Sequence, residues 1–282
     1  MRDQALIVDQ ASRLRELALR HAEERPASPT VLAVTSGKGG VGKSTVALNL
    51  ALALRDLGRR VLLVDADENL AGLDVMMNAA PSARLGDVMR GRLRVADVIV
   101  PVEEDLALVP GSSGDPRYPR RGASAVRRLM EQLRTEGAAF DRIVIDTGAG
   151  ISDDVLAFAL AADETLVVTT PEPTAIMDAY AVIKCLVAEK PMLPIAIIVN
   201  RCIDPREADA AARNLRTAVA HFLRRDVQYA GFIPEDRHAS QAVAAQQPLV
   251  RRSPGAPSAL SIRQFARMYE EYTNTIQQEV AA

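Results

Sequence analysis

The densest chemistry in this 282-residue chain lies in nine consecutive residues, Gly37-Lys38-Gly39-Gly40-Val41-Gly42-Lys43-Ser44-Thr45. They fit the spacing G-x-x-x-x-G-K-[ST] and fall between an apolar run that predicts a strand, 31–35, and a periodic run that predicts a helix, 44–57. Glycines let the backbone wrap a phosphate with its N–H groups turned inward, and the N-terminus of the next helix adds positive potential. In such a loop Lys43 reaches the β- and γ-phosphates, and the Ser44 hydroxyl ligates Mg²⁺. Lys38 is not needed to bind one nucleotide. It sets a second cation on a loop that already carries Lys43.

That extra lysine gives the loop a family likeness: Lys38-Gly-Gly-Val-Gly-Lys-Ser44 resembles the deviant Walker A of the MinD/ParA ATPases. The resemblance implies that Lys38 crosses a nucleotide-sandwich homodimer in the ATP state and touches the partner's phosphates. Val61-Leu-Leu-Val-Asp-Ala-Asp67 resembles the family's switch I, which implies that Asp67 orients the attacking water and that Asp65 lies near the magnesium shell. Arg142-Ile-Val-Ile-Asp-Thr-Gly-Ala-Gly150 resembles Walker B with switch II. There Asp146 is expected to hold Mg²⁺ through water, and Gly148 to let the backbone approach the γ-phosphate. A single acid at a strand end is as often a helix cap; these gain weight from their order with the loop. The Asn200-Arg-Cys-Ile203 segment lacks the N-K-x-D pattern that reads guanine. Asn200 and the 231–236 turn around Pro234 resemble the family's adenine-binding elements, so the cofactors expected are ATP and Mg²⁺.

Ahead of the loop, Asp9-Gln10-Ala11-Ser-Arg-Leu14-Arg15 resembles the D-Q-A-x-x-L-R leader of the FlhG (FleN) group within that family, regulators of flagellar number. This likeness implies that Asp9, Gln10, Ala11, Leu14 and Arg15 engage a GTPase of the FlhF type. It also implies slow, partner-stimulated hydrolysis, and further partners in flagellar C-ring proteins or a flagellar transcription regulator. Leu6, Ile7, Leu14 and Leu17 fall near one helical face, which also suits packing on the chain's own domain. One departure stands out: Glu68-Asn69 follows Asp67 where the group has an apolar residue and a glycine, bringing a new negative charge beside the expected catalytic acid.

The elements that must position these residues read as an α/β alternation. Further strands are expected over 61–65, 106–109, 142–146, 165–169, 195–200 and 227–233, with helices over 124–134, 153–162, 175–188 and 207–223 between them. Most strand runs lack polar alternation, as in a parallel sheet covered on both faces. The expectation is one doubly wound, mostly parallel P-loop NTPase domain over 30–282, preceded by a leader helix and Pro-rich linker over 1–29. A last helix, about 258–279, carries Leu260, Ile262, Phe265, Met268, Tyr272 and Ile276. Its side chains include more acid than base, which favours core packing over membrane docking.

Composition narrows the remaining classes. With 34 Lys+Arg against 36 Asp+Glu, a net charge of −2 gives no support for a nucleic-acid-binding surface. Two cysteines exclude a disulfide framework, and neither follows switch II closely enough to hold an iron–sulfur cluster. With no signal-like leader or long apolar run, a cytoplasmic location is expected, with a peripheral contact at the inner membrane face left open. Two other readings stay open on sequence alone: a ParA-type partitioning ATPase that binds DNA without sequence preference, and an ATP-binding scaffold that does not turn over.

Overall fold

A computed structural model describes residues 28–67, 72–112 and 123–281 of the chain. The leader segment, including Asp9, Gln10, Ala11, Leu14 and Arg15, lies outside the described residues, as does Glu68-Asn69. Among the described residues eight strands form one sheet in the order β3-β4-β2-β5-β1-β6-β7-β8. They are β1 (Thr30–Ser36), β2 (Val61–Ala66), β3 (Val100–Glu103), β4 (Leu106–Val109), β5 (Arg142–Ala149), β6 (Glu164–Thr169), β7 (Ile195–Cys202) and β8 (Gln228–Pro234). All pairings are parallel except that of β3 with β4. The seven strands expected from sequence are present, some extended by a residue or more. The antiparallel edge strand β3 was not expected: it is short, half-exposed and interrupted by Pro101, so its apolar signal is weak.

Side chains alternate across the central strands, so each strand feeds two cores. On one face Val31, Ala33, Ile143 and Ile145 pack with α4 (Ala123–Glu136), α5 (Asp153–Ala161), α6 (Pro173–Glu189) and α7 (Pro205–Ala218). On the other, Leu32, Val34, Leu63 and Val144 meet α1 (Lys43–Asp56) and α10 (Pro257–Ala281). Short helices α2 (Leu73–Met76), α3 (Leu85–Met89), α8 (Arg237–Ala244) and α9 (Leu249–Arg252) fill the connections. From Val46 to Leu54 every residue of α1 is buried, because it lies between the sheet and α10. α7 ends earlier than the 207–223 expectation; the chain continues through a π-helical turn at Val219–Leu223 and leaves it at Arg224, φ 53°.

α10 is fastened to the sheet by charge as well as by apolar contact. Arg142, at the start of β5, is 2% exposed, and its Nε and Nη2 donate to Glu270 at 2.8 and 3.0 Å. Arg59 Nε donates to the same carboxylate at 2.6 Å. The buried face of α10 runs through Ala259, Ile262, Phe265, Ala266 and Tyr269, whereas Leu260 and Met268 are about half exposed. This corrects the expected apolar face, which had placed those two residues inward.

Candidate functional site

The chemistry gathers at the C-terminal edge of the central strands, where β1 lies between β5 and β6 and the strand order reverses. β1 ends at Ser36, and the chain turns through Gly37–Gly42 directly into α1. Two of those glycines are required by close approach. A Cβ on Gly37 would collide with the backbone of Asp178 in α6, and one on Gly42, held at φ 89°, with Nδ2 of Asn200. A Cβ on Gly39 or Gly40 would meet nothing within 4 Å, so both positions face open space. Val41 is buried, and its carbonyl accepts from Asn200 Nδ2 at 2.7 Å, which ties the loop to the end of β7.

Lys43, the first residue of α1, is only 6% exposed, and the acids converge on it. Its Nζ lies 2.6 Å from Asp146 Oδ1 and 3.6 Å from Asp67 Oδ2, and it donates to Ser44 Oγ at 3.3 Å. Burial holds the Asp146 carboxyl above the usual range despite the opposing Lys43 charge, and Asp67 adds to that rise. Asp65, on the neighbouring strand, is pushed up to about 7 by burial and by the charge of Asp146. The backbone N–H groups of Leu73, Asp67 and Gly72 donate to it and oppose the rise. Asp65 thus anchors the two ends of the switch segment. Gly148, on β5, has Asp67 Oδ1 3.8 Å from where its Cβ would stand, so switches I and II are neighbours.

Beside the loop opens a cavity of about 600 Å³ lined by Gly42, Thr45, Asn200, Arg201, Glu235 and Arg237 among others. Pro234 ends β8 just before Glu235. Asp236 then joins three elements: its Oδ1 accepts from His238 N at 2.9 Å and its Oδ2 from Ser258 Oγ at 2.8 Å. Burial alone would raise its carboxyl, but these hydrogen bonds outweigh burial and lower it to about 2. The arrangement fits a nucleoside triphosphate with magnesium. Gly39 and Gly40 border open space in which a phosphate can approach the loop backbone, and Ser44 and Asp146 are the hard oxygen donors that Mg²⁺ prefers. Among the described residues no group of three or more His, Cys, Asp or Glu is arranged to hold a metal by itself.

The structure adds residues that the sequence did not single out. Lys38 Nζ lies 2.7 Å from Glu172 Oε2 and 3.1 Å from Thr174 Oγ1, at the N-terminus of α6. The hydrogen bond and charge of Lys38 hold Glu172 below the usual carboxylate range. The expected trans-acting lysine is therefore engaged within its own chain. The only available signal was the Pro171-Glu172-Pro173 turn before a helix, 134 positions away and without a distinguishing pattern.

Comparison with known proteins agrees with this geometry. The family model described as ParA, NUBPL iron-transfer P-loop NTPase, matches residues 28–269. The chain is 37% identical over 242 residues to the antiactivator FleN of Pseudomonas aeruginosa, covering 86% of each chain. It is 35% identical over 240 residues to the flagellum site-determining protein YlxH of Helicobacter pylori, covering 83% of this chain and 80% of that one. Its fold matches the septum site-determining protein MinD complexed with Mg-ADP from Pyrococcus horikoshii, with a TM-score of 0.74 at 26% identity, covering 87% and 97% of the two chains. Iron handling finds little support in the thiols: Cys202 is buried on β7, Cys185 sits on α6, and neither adjoins the loop acids described above.

Proposed function

Because the chain belongs to the MinD/ParA family of P-loop ATPases, in its FleN/FlhG group, we propose that it acts as an ATP-gated dimer switch that sets the number or placement of flagella. It is an ATPase with ATP and Mg²⁺ as cofactors, and its fold is that of a dimerising family. The observation that carries the proposal is the convergence of Asp146 and Asp67 on the buried Lys43 at the mouth of a glycine loop that bears a second lysine. Magnesium, when bound, supplies positive charge against the phosphate oxygens.

The remaining chemistry belongs to the chain. Loop amides and Lys43 hold the phosphates, and Ser44, Asp146 and Asp65 form the metal side. Asp67, with 14% of its side chain exposed, is open enough to accept a hydrogen bond from water and orient it for attack. Lys38 leaves Glu172 and Thr174 to contact the phosphates of a second copy. Asn200 and Pro234 border the base. The residues of the leader, Asp9, Gln10, Ala11, Leu14 and Arg15, engage an FlhF-type GTPase, where the Gln10 amide can position water in the partner's site. C-ring proteins or a flagellar transcription regulator read the dimer state.

Sedimentation with ATP and Mg²⁺ tests the switch: Asp67→Ala accumulates dimer and Lys38→Ala stays monomeric. A wild-type chain and an Asp67→Ala variant that both remain monomeric at saturating ATP would sink it. GTPase stimulation by the full chain, lost in Gln10→Ala, tests the partner reading separately.

A further inference from the structure

At the opposite end of the sheet from the phosphate loop lies a groove that the nucleotide chemistry does not use. It runs between the first residues of β6, β7 and β8 and the outer half of α10, and it encloses about 80 Å³. Leu32, Glu164, Ala196, Phe265, Met268 and Tyr272 line it. Met268, half exposed, stands at the mouth. Glu164 makes no hydrogen bond or ion pair among the described residues. The Tyr269 hydroxyl, buried in the same wall, has no hydrogen-bond partner among them either. Arg142, the cation whose charge acts on Glu164, is already hydrogen-bonded to Glu270, so an apolar channel with this acid calls for an apolar segment bearing a cation of its own.

The chain itself supplies one at the right place. Described residues begin at Ser28, and β1 begins at Thr30; two residues on, Leu32 lies in register with Glu164 and forms part of the groove wall. The 27 residues that precede Ser28 are therefore joined to the fold beside the groove. Their linker, 22–29, can span about 26 Å, and a helix over 3–21 is about 28 Å long, so either end can reach α10. At helical spacing Ile7, Gln10, Leu14 and Leu17 share one face, with Arg13 on its border.

We infer that this groove is the docking site, in cis, for the chain's own leader, with Leu14 and Leu17 seated against Phe265 and Met268 and Arg13 facing Glu164. Docking hides Gln10. The leader is thereby withheld from an external partner until it is released, a consequence that rests on the partner reading above, whereas the docking itself does not.

Disulfide trapping in the full chain tests the contact. Leu17→Cys is paired with Met268→Cys, in a Cys185→Ser background, and compared with Leu17→Cys paired with Thr217→Cys on α7, across the sheet. A tethered segment that occupies its site has an effective concentration in the millimolar range. The groove pair is expected to close within one chain at least about tenfold faster than the control pair, and Arg13→Glu to slow it about fivefold. Equal rates overturn the proposal, and a disulfide formed only between chains assigns the groove to a second copy and overturns it as well. If the cysteine variants fold poorly, hydrogen exchange serves instead. Amides of 3–21 are expected to be protected in the wild type and released by Met268→Asp, and exchange at free-peptide rates in the wild type refutes docking. Lost GTPase stimulation with trapping intact would remove only the partner reading.

Discussion

Replacing Glu270 by glutamine keeps the shape of α10 and removes the carboxylate to which two arginines hydrogen-bond. Arg142 is 2% exposed and spends two of its donors on this carboxylate, at 2.8 and 3.0 Å, while Arg59 adds a third contact at 2.6 Å. The neutral amide can still accept at one oxygen, but it turns an N–H₂ group toward a guanidinium that cannot lose its proton. Removing one partner of a buried pair costs about 3–5 kcal/mol, because the other charge stays buried without compensation. For a domain of this size, about 2 °C of melting temperature per kcal/mol gives a fall of about 6–10 °C. Urea titration followed by circular dichroism measures the same loss as a lower midpoint at unchanged slope. The pair Arg142→Met with Glu270→Met should recover most of it, since apolar replacements remove both the desolvation penalty and the attraction. A loss below about 1 kcal/mol in Glu270→Gln, or a double variant no better than the single one, would refute the reasoning. ATP binding should survive in each case, because the pair lies at the sheet end remote from the loop.

Other expected outcomes concern pH and the phosphate loop. Glu164 is pushed up to about 7 by burial and by the Asp163 charge, with Arg142 opposing. Its folded value exceeds the unfolded one, so in an Arg13→Ala chain, where no leader cation faces it, its contribution is fully present below about pH 4.5 and is lost as pH rises through about 7; the loss is roughly 3 kcal/mol and disappears from denaturant curves when Glu164→Gln is added. Asp236 behaves in the opposite sense. Its carboxyl is lowered to about 2, so its contribution is present above about pH 4 and lost as pH falls toward 2, and Asp236→Asn should flatten that part of the acid-unfolding curve. Gly42→Ala places a Cβ against Asn200 at a left-handed backbone position; calorimetry should show ATP affinity weakened at least about tenfold with the fold retained. Lys43→Ala should reduce phosphate release by at least about a hundredfold, as removal of a group that stabilises the transferring phosphoryl does.

Much of this architecture was legible because its signals are local. The loop from Gly37 to Thr45 is contiguous, and the strands holding Asp65 and Asp146 are apolar runs with both faces covered, so their type and order read directly. Residues whose roles depend on distant partners were not legible. Glu172 becomes notable only because folding brings it to Lys38, and Glu270 only because it meets Arg142 from 128 positions away. β3 escaped for a different reason: a four-residue edge strand with one side wet and a proline inside has no periodic signal. On α10 the apolar pattern was real but wider than the buried stripe, which is why Met268 was expected inside and stands at the mouth of the groove.

The sheet's two borders bear on how copies of this chain assemble. β3, at one border, carries Pro101, loses register against β4 and has Glu103 drawn into ion pairs with Arg251 and Arg55. β8, at the other, shifts register twice against β7 and ends in Pro234. Irregular, proline-bearing edges are poor templates for another strand. Oligomers that grew by strand addition would have no natural stopping point, whereas a loop-to-loop encounter across bound nucleotide uses one face of each copy and closes at two. Frayed borders thus favour an assembly that closes on itself over a filament.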